Sequence, residues 1–147
     1  MSNYPSWWST TITLYNKITN AETQEVSWKR TVLNSCFLTV SRQINMMTDQ
    51  TTQTYRNTVV CRIPKNNKYV DGYTWDTLTD RSSKFTLQAG DIIVKSKVID
   101  EIDEYTKGSR ATDLVAKYKA KGVFRIGYVQ DNSDSTRHLP HYRVDEG

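Results

Sequence analysis

Long apolar runs are missing from this sequence, and none approaches the length a membrane span needs. The N-terminus has no basic region followed by an apolar stretch, so no secretory leader is expected. The 6 glycines are scattered, which leaves no phosphate-cradling loop. Neither Gly-x-Ser-x-Gly nor His-Glu-x-x-His occurs. The 2 histidines, His138 and His141, have a metal-like spacing but flank Pro140 and lack a nearby cysteine or firm carboxylate, so a metal site is not expected. The 2 cysteines, Cys36 and Cys61, each sit in an apolar strand-like run. Burial there raises a thiol pKa, which argues for reduced core thiols over a nucleophile or a disulfide. Asp100, Glu101, Asp103 and Glu104 lack the spacing of a calcium loop and read as a solvated acidic stretch. A net charge of +4, with acids and bases interleaved and no dense Lys/Arg cluster, is too weak to argue nucleic-acid binding. No catalytic group, cofactor or metal is therefore expected, and the class that remains is a binding or structural module.

What is present favours strands. The chain is 147 residues long, enough for one domain with a real core. Thr, Ser, Asn, Gln, Tyr and Val are plentiful while Ala and Leu are scarce. Apolar alternation predicts strands over 10–17, 26–33, 36–40, 58–63 and 123–129, with a short closing strand over 138–144 that pairs with 123–129. The stretch 84–98 reads as strand, tight turn, strand. Phe85 and Leu87 alternate with polar residues, Gly90 and Asp91 form the structural turn, and Ile92-Ile93-Val94 supplies three β-branched residues. Such a hairpin is a common sign of a small β-barrel. One helix is expected over 109–121, with Ser109 as N-cap, Ala111, Leu114, Val115 and Tyr118 as its apolar stripe, and Gly122 as its stop.

Three segments stand outside this pattern: an N-terminal arm over 1–9 and loop insertions over 41–57 and 65–83. For 41–57 an extra hairpin, a functional arm and disorder are the alternatives. The 9 Tyr and 4 Trp carry large contact area with a polar tip. Adjacent Trp7 and Trp8 cannot both face one core if extended. The candidate interface residues are Trp7, Trp8, Met46, Met47, Tyr55, Tyr69, Tyr73 and Trp75.

The order of the segments Thr-Ile-Thr-Leu-Tyr (11–15), Val-Ser-Trp-Lys-Arg-Thr-Val-Leu (26–33), Val-Cys-Arg-Ile-Pro (60–64), Phe-Thr-Leu-Gln-Ala-Gly-Asp-Ile-Ile-Val (85–94) and Phe-Arg-Ile-Gly-Tyr-Val-Gln-Asp-Asn (124–132) resembles small neck proteins of tailed phages and prophages of Firmicutes. In outline it is similar to head–tail connector proteins of the stopper, or head-closure, kind. The resemblance implies a mainly β protein, a small SH3-like antiparallel β-barrel with long loop insertions and one short α-helix. It implies a non-enzymatic virion protein, assembled in the host cytoplasm, whose copies form a ring that joins head to tail and closes the DNA channel. Its partners would be its own copies, portal or adaptor and tail components, with passing contact to genome DNA and none to a membrane. Segments 41–57, 65–83 and 109–121 depart from the compact pattern of that family. The alternatives are a capsid decoration or minor head protein and a single-stranded nucleic-acid-binding barrel.

Overall fold

The computed structural model describes residues 4–46, 53–134 and 139–146, with backbone alone for 41–46 and 53–58. Its strands are β1 (Thr10–Thr19), β2 (Val26–Met46), β3 (Gln53–Pro64), β4 (Ile92–Val94), β5 (Val123–Asn132) and β6 (His141–Glu146). They close into an antiparallel barrel in the order β1-β2-β3-β6-β5-β4. Two helices, α1 (Gly72–Thr77) and α2 (Ala111–Tyr118), lie in the connections. The protein is thus mainly β and built on a small closed barrel.

Closure depends on two strands that each serve two sheets. β2 pairs with β1 from Val26 to Cys36 and with β3 from Phe37 onward. The bend that Asn34-Ser35 predicts is therefore a kink inside one continuous strand, not a break between two. Ser35 takes a positive φ of 61°, and between the pairs Thr10↔Cys36 and Ile12↔Leu33 β2 carries one residue more than β1. That is a β-bulge, which turns a strand and increases its twist. β5 does the same, pairing with β4 over Val123–Arg125 and with β6 from Ile126 onward, with a register shift at Gly127.

The barrel interior holds Ile12, Leu14, Ile63, Phe85, Ile93 and Val144, all 0–1% exposed. A second cluster lies on the outside of β1 and β4, where Tyr15, Ile92 and Val94 meet Ile102, Leu114 and Tyr118 beneath α2. β1 and β4 are thus covered on both sides. That is why Ile92-Ile93-Val94 can be apolar without alternation, as a strand buried on both faces must be. α2 is shorter than 109–121, and its N-cap is Arg110, not Ser109, with Asp113 accepting from the Arg110 backbone N–H. Its buried stripe is Ala111, Leu114 and Tyr118, with Val115 half-buried.

The expected hairpin over 84–98 is not formed. β4 pairs with β1 and β5, and residues 84–88 do not pair with it. Phe85 makes only an isolated bridge to Tyr69. Side chains replace the missing ladder. Asn16 Nδ2 donates to the Thr86 carbonyl at 2.6 Å and to Asp91 Oδ2 at 2.8 Å, while Thr86 N–H donates to Asn16 Oδ1 at 3.3 Å. Asp91 also accepts from Lys17 N–H at 3.0 Å and Gln88 N–H at 3.1 Å. Phe85 and Leu87 can then enter the barrel on an irregular backbone. Gly90, at φ +94°, donates its N–H to the Ile126 carbonyl, which ties the turn to β5.

Burial pushes the Asp91 carboxyl up to about 6, against the hydrogen bonds from Lys17, Asn16 and Gln88 that favour the anion. A raised carboxyl pKa means the folded chain holds a proton that the unfolded chain has already released between about pH 4 and 6. This group's contribution is therefore greatest below pH 4 and declines as the pH rises through 6. Wild type is expected to lose stability relative to Asp91→Asn as the pH goes from 4 to 7. A constant gap in urea unfolding midpoints would contradict this. Asp91→Ala strands three N–H donors at the turn and should cost about 3 kcal/mol or more by denaturant unfolding.

Candidate interaction surface

The segment 41–57, expected as a loop insertion, is strand over 41–46 and 53–57. Its pairs run from Ser41↔Thr58 to Met46↔Gln53. β1 leaves β2 at Cys36 and β6 leaves β3 at Val60, so among the described residues this part of the hairpin pairs only with itself. At about 3.3 Å per residue, six residue pairs make a two-stranded ribbon roughly 20 Å long beyond the barrel. The extra hairpin, one of the alternatives for 41–57, describes residues 41–46 and 53–57. The other insertion, 65–83, contains α1, a helix absent from the sequence expectation. Asp71 caps it by accepting from Thr74 N–H at 2.7 Å, a bond that holds the Asp71 carboxyl below its usual range.

The structure separates the candidate aromatics. Trp7 is 65% exposed and Tyr73 on α1 is 83% exposed. Trp8 is buried, stacked on Phe37 at 6.0 Å and perpendicular to the His141 ring at 5.9 Å. The two adjacent tryptophans thus point apart, and the described part of the N-terminal arm packs on its own barrel. Tyr4 there donates to the Pro140 carbonyl and accepts from Lys65 N–H. Trp75 is a core residue at 1% exposure, covered by the Arg81 guanidinium 5.3 Å from its ring. Tyr69 is half-buried and stacks on Tyr142 at 4.1 Å, and burial pushes its phenol up to about 12. Trp8 and Trp75 are thus buried in the protein's own core, and Tyr69 packs half-buried against the barrel cluster. Met46 and Tyr55 lie on the ribbon backbone, at the pairs Met46↔Gln53 and Ile44↔Tyr55, with their side chains outside the described residues. Met47 lies outside the described residues altogether.

Groups that could carry chemistry are engaged in structure. His141 is buried with Nδ1 at 2.7 Å from the Leu139 carbonyl and Nε2 at 3.3 Å from Asn132 Nδ2; His138 lies outside the described residues. Cys36 and Cys61 are free and buried, and contact between their thiols together with burial pushes the Cys61 thiol up. The acidic stretch is not merely solvated. The Asp100 carboxylate accepts from Lys117 Nζ and Tyr118 Oη, both at 2.6 Å, and these bonds hold it below the usual carboxylate range. Glu104 accepts from Trp28 Nε1 at 3.1 Å and from the Ala111 N–H at 3.0 Å. Together they lash α2 to the barrel. Among the described residues no group of three or more His, Cys, Asp or Glu side chains could hold a metal ion.

Exposed apolar residues that sequence reasoning missed are Val40 at 61%, Ile99 at 80%, Tyr105 at 66% and Tyr128 at 59%. Val40 and Tyr128 sit in strands and obey alternation, so the pattern alone did not show that they face outward. Trp75→Ala should cost about 3–5 kcal/mol in urea unfolding, as an aromatic deleted from a core does. Trp7→Ala and Tyr73→Ala should each stay within about 0.5 kcal/mol of wild type. Equal losses for Trp75 and Tyr73 would contradict this division.

No curated protein and no solved structure matches this chain. One family model covers residues 8–146, nearly its whole length, and the chain belongs to that family, a family of unknown function (DUF6751).

Proposed function

We propose that this protein is a structural component of the tailed-phage virion neck, where its copies form a ring between head and tail that closes the DNA channel. It acts by assembly and not by catalysis, with portal or adaptor and tail proteins as its neighbours. The observation that carries this reading is the ribbon formed by 41–46 and 53–58, which extends β2 and β3 past their last barrel partners. A two-stranded hairpin alone is marginal in water, and its outer edges present unpaired backbone groups. A ribbon that projects from a closed barrel gains most from a neighbour that covers it, and a crowded ring supplies one. The exposed Trp7 and Tyr73 extend the surface available for such contacts.

Gold-labelled antibody on purified particles is expected to mark one site per particle, at the head–tail junction. Label spread over the shell would replace this reading with capsid decoration, and particles without label would overturn it. A second test shortens the ribbon. Replacing 43–56 by Asn-Gly joins the paired Arg42 and Asn57 through a two-residue hairpin turn. The barrel should keep its melting temperature, while joining of heads to tails falls at least tenfold. Normal joining would remove the ribbon from the contact.

A further inference from the structure

One surface patch joins apolar side chains to three lysines that form no ion pair among the described residues, Lys121 Nζ lying 5.9 Å from the centre of the Tyr118 ring. Val40 projects from β2 into solvent and, with the half-buried Leu38, Val59 and Val123, lines a groove of about 230 Å³ beside the end of α2. Lys95, Lys119 and Lys121 line the same groove. The Lys95 N–H donates to the Gly122 carbonyl at 2.8 Å, and Gly122, at φ +108°, turns the chain from α2 toward β5 at this point. The ion pairs among the described residues are Arg30–Glu101, Lys117–Asp100 and Arg143–Asp145, and none involves these three lysines. A phosphate backbone would use the lysines and leave the valines idle. An acidic segment with an apolar tip would use both.

The chain itself carries such a segment. In 99–105, Ile99 and Tyr105 are exposed apolar residues, and Glu101 and Asp103 are exposed acids. Its backbone is held in place, because the Asp100 carbonyl accepts from Tyr15 Oη at 2.7 Å and Asp100 and Glu104 are bound to α2. The segment lines no part of its own chain's groove. We propose that the groove receives the 99–105 segment of a second copy of this chain, with Ile99 against Val40 and Leu38 and with Glu101 and Asp103 facing Lys119 and Lys121. Glu101 already meets Arg30 at 3.0 Å, but an ion pair this exposed contributes little and yields readily to a new partner. The apolar contact supplies affinity, and the charges steer approach and set register. Groove and segment are different patches, so the contact can run head to tail and close into a ring. The inference rests on the self-association in the neck-ring reading and not on where the protein sits in a particle.

Analytical ultracentrifugation of the purified full chain over a concentration series tests it. Wild type is expected to associate, and more weakly as salt rises. Val40→Asp and Ile99→Asp both replace exposed side chains, so each should keep the wild-type melting temperature yet associate at least tenfold more weakly. Mixing the two variants should restore a 1:1 complex, since one contributes an intact groove and the other an intact segment. Wild-type association by either variant would overturn the contact and leave the ring reading standing. A mixture that stays monomeric would also overturn it. Wild type that remains monomeric throughout would overturn it as well, and particle labelling would still decide the ring reading separately.

Discussion

The buried carboxyl of Asp91 is the constraint on which the rest of this barrel depends. It lies in the turn before β4, where β1 and the irregular segment 85–88 meet, and it accepts two hydrogen bonds from β1 (Asn16 Nδ2 and Lys17 N–H) and one from Gln88 N–H. Asn16 completes the junction by bonding both backbone groups of Thr86. Backbone groups removed from water must be paired, and a segment without a strand neighbour has no ladder to pair them. An amide and a carboxyl of the right length do this work here. They allow Phe85 and Leu87 to join the barrel core without a seventh strand.

From that junction the layers follow. β1 and β4 are buried on both faces because the chain leaving β4 returns over them through 96–110 and α2. The acids of that return are structural. Asp100 and Glu104 draw α2 down onto Tyr15, Trp28 and Val98, and the resulting packing buries Leu114 and Tyr118. The same arrangement leaves two charged surfaces exposed: the outer edge of the acidic return, where Glu101 meets Arg30, and the lysine-lined groove beyond the last turn of α2.

That distribution suits a protein that works by contact. His141, the free Cys36 and Cys61 thiols and the Asp91, Asp100 and Glu104 carboxylates are engaged in packing, while Trp7, Tyr73 and Val40 are exposed. The neck-ring reading uses these surfaces and requires no reacting group.

Much of the fold was legible in the residues. Ile12 and Leu14, Phe124 and Ile126, and the stripe Ala111, Leu114 and Tyr118 each carry the period of their element, because one-sided burial imposes that period on sequence. The pairing of the last two strands was legible for the same reason. Three things were not. The partner of 84–88 depends on two side chains, Asn16 and Asp91, that are 75 residues apart and meet only in the fold. The stretch 41–57 is Thr/Gln/Asn-rich with little periodicity, so the strand character of 41–46 and 53–58 shows only in the backbone pairing. The division of aromatics into core (Trp8, Trp75) and surface (Trp7, Tyr73) turned on which way α1 and the N-terminal arm lie, and adjacent or near-adjacent residues of one type cannot reveal that. The sequence by itself determined a small antiparallel barrel with one helix packed against it, since periodicity is a local record of burial. Tertiary structure alone decided how the opening turn around Gly90 and Asp91 is anchored and which surfaces remain free, since both are set by contacts between residues distant in the chain.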